Sequence, residues 1–126
     1  AQIDSSGLRS VSCPTASFCI AVDVHGSALQ FGPAGWSQPT AVDDQYELVS
    51  VSCTDDTSCR AVDLAGNVVS FDHGTWSEPH KIDGYYVLPS VSCPTSTFCL
   101  AVDSVGHAIT LQGTEWTTPS LVNSQA

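Results

Sequence analysis

A chain of 126 residues with 42% hydrophobic and 13% charged residues has the composition of one folded domain, not of a disordered segment. Thirteen acidic residues against three basic ones give a formal net charge of −10, which opposes binding to nucleic-acid phosphates or anionic lipid. No apolar run reaches the roughly 18 residues of a membrane-spanning helix, and no cofactor-binding motif is present.

In chain order, one pattern is written three times. Cys13, Cys53 and Cys93 lie 40 residues apart, and so do Cys19, Cys59 and Cys99. Asp23, Asp63 and Asp103 keep the same register, as do Gly26, Gly66 and Gly106, Trp36, Trp76 and Trp116, and Pro39, Pro79 and Pro119. A fixed period of about 40 residues marks a repeat architecture. The expectation is a single repeat domain over 1–126, with units at approximately 5–43, 44–83 and 84–123. The chain starts at Ala1, as a processed or excised segment would, and its two ends match as whole units would.

Each unit opens on an alternating stretch (8–13, 48–53, 88–93) that reads as a half-buried strand. A five-residue loop and an apolar run such as 18–23 follow, with a cysteine at each lip of the hairpin. Zinc is the rival reading of the cysteines, but each unit offers two, six apart, and the histidines share no register. Six cysteines allow 15 connectivities, and the repetition selects the local pairs Cys13–Cys19, Cys53–Cys59 and Cys93–Cys99. Such bridges imply an oxidising, extracellular location.

An Asp-x-x-Gly turn comes next, where the carboxylate can bond backbone amides and glycine accepts a positive φ. One carboxylate per unit falls short of a calcium site, and no metal is expected. A third strand (27–31, 67–71, 107–111) leads to Trp-Ser/Thr-x-Pro, which begins a fourth. Proline cannot donate to a ladder, so this last strand should lie at an edge or be irregular.

Four antiparallel strands in about 40 residues describe an all-β propeller blade, with one lobe of a β-trefoil as the alternative. The small, apolar Ser-Val-Ser-Cys strand suits the position nearest the axis of a ring. The set Ser-Val-Ser-Cys-Pro-x-x-x-Phe-Cys-x-Ala-Val-Asp-x-x-Gly, then Gly-x-Trp-Ser-x-Pro, resembles cysteine-containing propeller-type repeats of secreted actinobacterial proteins. A weaker resemblance is to small bacterial propeller lectins built from several short chains. Their sugar-clasping Arg and Glu do not recur, since Ile20 and Leu100 hold the place of Arg60. Closed rings need about four to eight blades, so three blades imply either a homodimer with a six-bladed ring or a part of something longer.

Chemistry is sparse. No nucleophile elbow or phosphate-binding loop is present, and Asp43-Asp44 and Asp55-Asp56 read as solvated turn acids, so the chain is not expected to be an enzyme. Repetition favours binding. The principal expectation is a secreted carbohydrate-binding module or lectin that recognises a glycan or glycoconjugate. The second is a protein-interaction scaffold or adaptor subunit of a larger secreted assembly. Candidate ligand contacts are Trp36, Trp76 and Trp116, whose competing role is packing between blades, and the connector residues Tyr46, Glu47, Tyr85 and Tyr86. His25 and His107, beside the Asp-x-x-Gly turns, read as solvated turn residues.

Overall fold

The computed structural model describes residues 7–84 and 86–122, and among them every regular element is a strand. The first unit contains β1 (Leu8–Thr15), β2 (Phe18–Asp23), β3 (Ser27–Gly32), β4 (Gly35–Trp36) and β5 (Thr40–Ala41). The second contains β6 (Leu48–Asp55), β7 (Ser58–Asp63), β8 (Asn67–Asp72), β9 (Thr75–Trp76) and β10 (His80–Lys81). The third contains β11 (Ser90–Thr95), β12 (Phe98–Val102), β13 (His107–Gln112), β14 (Glu115–Trp116) and β15 (Ser120–Leu121). All pairing is antiparallel and stays within a unit. A trefoil would hydrogen-bond strands of different units into a barrel; these units are separate sheets, as blades are.

The expected fourth strand is broken in two by its proline. In the first blade β4 pairs with the end of β3 (Phe31 with Trp36), and β5 pairs with its start (Ala28 with Thr40). Across the gap, the Ser37 N–H donates to the Gln30 carbonyl at 2.8 Å, and the Gln30 N–H donates to Ser37 Oγ at 3.0 Å. The hydroxyl therefore serves as the acceptor at the break in the ladder. Ser77 does the same for Ser70 N–H at 2.9 Å and Thr117 for Thr110 N–H at 3.0 Å, which explains a hydroxyl residue after every tryptophan.

Two local expectations need correction. The five-residue loop is a two-residue turn, because β1 continues through Pro14 to Thr15 and pairs Thr15 with Phe18, with a register shift taking up the difference. The third unit's first strand begins at Ser90, not at 88, because Pro89 stands where the other units have Arg9 and Val49 and has no N–H to donate. The three disulfides Cys13–Cys19, Cys53–Cys59 and Cys93–Cys99 close the hairpins and suit an oxidising environment.

The blades pack side by side, with the second between the first and third. Phe18, Ile20, Val22 and Ala28 of the first blade are buried against Leu48, Val51, Ala61 and Phe71 of the second. A second cluster joins Val62, Val68 and Ile82 to Leu88, Val91, Ala101 and Ile109 of the third. The Ser-Val-Ser stretch adds direction to these junctions. The Val51 and Cys53 N–H groups donate to Ser10 and Ser12 Oγ at 3.2 and 2.9 Å, and the Val91 and Cys93 N–H groups to Ser50 and Ser52 at 3.3 and 2.9 Å. Each inner strand thus lends hydroxyls to the backbone of the next.

Candidate functional site

The connector face is built upward from three buried aspartates. Asp23, Asp63 and Asp103 are 1%, 0% and 7% exposed, and each turns Oδ1 onto two backbone N–H groups of its own turn. Asp63, for example, accepts from Ala65 and Asn67 at 2.8 and 2.9 Å. The glycine that follows is required twice over. Gly66 has φ +83, and a Cβ there would overlap the Asp83 carbonyl oxygen. The Gly66 carbonyl also accepts from the Ile82 and Asp83 N–H groups at 2.8 and 3.1 Å, so the outgoing connector is clamped onto the turn of its own blade. Gly26 makes the same pair of bonds with Val42 and Asp43 at 3.0 and 2.9 Å.

The clamp places a second carboxylate beside the first of the following blade. Asp43 was expected to be a solvated acid; it is 1% exposed and lies against Asp63, while its neighbour Asp44 is exposed. Its Oδ1 accepts from the Gln45 and Tyr46 N–H groups at 3.3 and 3.2 Å. Burial first, and then the Asp63 carboxylate, push the Asp43 carboxyl up to about 7. The next junction repeats the device: burial and Asp103 raise Asp83 to about 6. Asp103 behaves oppositely; burial pushes it up, but the neighbouring Asp83 carboxyl and the hydrogen bonds from the His107 and Val105 N–H groups prevail and hold it at about 2. These buried pairs act as posts for the connectors.

Tyr46 and Tyr86, one period apart, ride on these posts and are 36% and 49% exposed. Tyr86 N–H donates to the Asp83 carbonyl at 3.2 Å, and its ring lies 6.4 Å from that of His107. His107 is no simple solvated residue, since its Nδ1 bonds Asp103 Oδ2 at 2.9 Å. Glu47 is half-buried and pairs with Arg9 of the first inner strand at 3.2 Å. Tyr85 lies outside the described residues.

The tryptophans are elsewhere. Each ends a short strand that pairs with the far end of the third strand, about 13 Å along the blade from the connector. Trp36 packs on Phe31 at 5.3 Å and Trp76 on Phe71 at 5.1 Å, while Trp76 and Trp116 also lie against the two blade-junction clusters. All three are half-buried, and Trp36 and Trp76 line one open groove of about 410 Å³ with Pro33 and Ile20. The expected contacts therefore divide into two surfaces: tyrosines on the connector face and tryptophans on the outer rim. Among the described residues no three His, Cys, Asp or Glu side chains converge on a metal-sized site.

Sequence reading missed the posts Asp43 and Asp83. Their shared register, each following Val42 or Ile82 at a 40-residue interval, was the available signal.

No protein-family model matches the sequence, and no curated protein does. Solved structures do match in fold. The chain resembles a structure described as YCF48 bound to D1 peptide (TM-score 0.75, 15% identity), covering 91% of this chain and 41% of that one. It resembles YCF48 from Cyanidioschyzon merolae (TM-score 0.73, 18% identity) over 100% of this chain and 44% of the other. It also resembles the WD40 β-propeller domain of Doa1 (TM-score 0.73, 14% identity), covering 95% of this chain and 42% of that one. The chain is thus a set of β-propeller blades spanning less than half the length of these structures.

Proposed function

We propose that the protein is a secreted interaction scaffold whose connector face holds an extended, basic segment of a protein partner. The observation that carries this reading is the pair Tyr46 and Tyr86: exposed aromatic rings, in one register, on turns whose backbone is fixed by buried Asp43 and Asp83. Rigid aromatic anchors lose little entropy on binding and are favoured at recognition surfaces. The chain's net charge of −10, with Asp44 exposed beside Tyr46, favours a cationic partner. A structure of the same fold is described as bound to a peptide, which supports this second expectation over the glycan reading.

The test is fluorescence anisotropy with a panel of extended peptides graded in charge, run beside a glycan array with free-sugar competition. A basic peptide should bind, with affinity falling at least about tenfold in Tyr46→Ala and Tyr86→Ala, as for aromatic anchors elsewhere. Binding should fall with added salt and ignore millimolar monosaccharide. A sugar-competed array hit lost in Trp36→Ala, with no peptide bound, would replace this reading by the lectin one.

A further inference from the structure

The two outward faces of the blade row are complementary halves of the junction that already occurs inside the chain. At the junction of the first and second blades, Phe18 and Ile20 are 8% and 1% exposed, seated in a cluster that includes Leu48, Val51, Ala61 and Trp76. One period earlier, Leu8, Val11, Ala21 and Trp36 line an open recess of about 360 Å³ on the outer face of the first blade. Leu8 and Val11 are 45% and 57% exposed there, against 0% and 6% for Leu48 and Val51. Two periods later, Phe98 and Leu100 hold the register of Phe18 and Ile20 on the far face of the third blade and are 42% and 40% exposed. The chain therefore carries the apolar pair at one end and the empty recess for it at the other.

The polar half of the junction is divided in the same way. Ser90 and Ser92 hold the register of the serines that accept from the next inner strand, and both are exposed. Val11 and Cys13 hold the register of the residues that donate, and both are exposed.

We infer that a second copy of this chain docks on these faces, third blade to first and first to third about a two-fold axis. In each of the two contacts, Phe98 and Leu100 fill the Leu8–Val11–Ala21–Trp36 recess of the other copy. The Val11 and Cys13 N–H groups then donate to Ser90 and Ser92 across the contact. The occupant is a copy of the chain because the faces continue an interface that the chain makes twice within itself. The middle blade shows what a less apolar version looks like: Ser58 and Arg60 hold the Phe and Ile places, and the Arg60 guanidinium donates to the Ser96 carbonyl at 3.3 Å. The apolar form of the pair, Phe with Ile or Leu, is kept at the first junction and at the open third face. Head-to-tail contacts that fail to close on two copies would instead extend into a filament.

The experiment is sedimentation equilibrium and native mass spectrometry of the oxidised chain between 1 and 100 µM, roughly the range where such interfaces equilibrate. A dimer is expected, with monomers of unchanged circular dichroism in Val11→Glu and in Leu100→Glu. Should either variant fail to fold, Ser92→Ala is the milder probe. It removes one hydrogen bond from each contact and should weaken dimerisation about tenfold. A wild-type monomer at 100 µM, a dimer insensitive to all three substitutions, or an open-ended series of larger species would overturn the inference. None of these outcomes depends on whether the connector face binds a peptide.

Discussion

At the scale of single residues, the buried aspartates do most to shape the exposed face. Asp43 and Asp83 have folded-state values of about 7 and about 6, raised above the ordinary 3.8 by burial and by the neighbouring carboxylate. A raised value means that the folded state binds the proton more tightly than the unfolded chain does. The stabilisation is therefore complete below about pH 4 and is lost as pH rises through about 6 and 7. Asp103, held at about 2, works in the other direction, contributing above pH 4 and failing only as pH falls through about 2. Thermal melting should show stability falling between about pH 4 and 7 and levelling off above that, and Asp43→Asn should flatten that slope by keeping a neutral side chain at the post. An unchanged slope in the variant would show that Asp43 does not titrate in this window. The glycines add a second residue-scale test. Gly66→Ala meets both a positive φ and the Asp83 carbonyl, and should cost about 2 kcal/mol or more in chemical denaturation.

At the scale of elements, the legible part of the fold was whatever repeats inside one unit. Asp-x-x-Gly announced its turn, the paired cysteines their hairpin, and the proline an irregular edge, because each is a local device whose partners lie a few residues away. What the sequence left hidden acts between units. The Ser-Val-Ser stretch read as small and apolar, yet its hydroxyls accept from a strand 41 residues on. Asp43 read as a solvated acid because its partner Asp63 belongs to the following blade. The tryptophans and tyrosines were grouped by chemistry, and only the strand register shows that they occupy opposite ends of a blade. The hydroxyl after each tryptophan was visible but unexplained until the broken ladder was seen. Ser77→Ala should remove the acceptor for the Ser70 N–H and cost about 0.5 to 1 kcal/mol in urea unfolding, the usual net value of one such bond.

At the scale of the whole molecule, stability is a property of neighbouring pairs, as in other repeat proteins. The same side chain then has different weight at different places in the row. Phe18 is buried between two blades, packs 6.2 Å from the Phe71 ring, and should cost about 3 to 5 kcal/mol when replaced by alanine. Phe98 has the same register but an open face, so Phe98→Ala should leave monomer unfolding nearly unchanged while weakening self-association. Equal destabilisation of the monomer by both changes would mean that Phe98 is already packed within its own chain.

The proline that divides each outer strand has a consequence for how such a molecule behaves when concentrated. An uninterrupted outer strand would offer a long row of free amides and carbonyls, a template on which a foreign strand could lengthen the sheet. Here that rim is cut into pieces of two residues, and the serine or threonine at the cut turns its oxygen inward to the third strand. Lateral recruitment is thereby blunted on every blade.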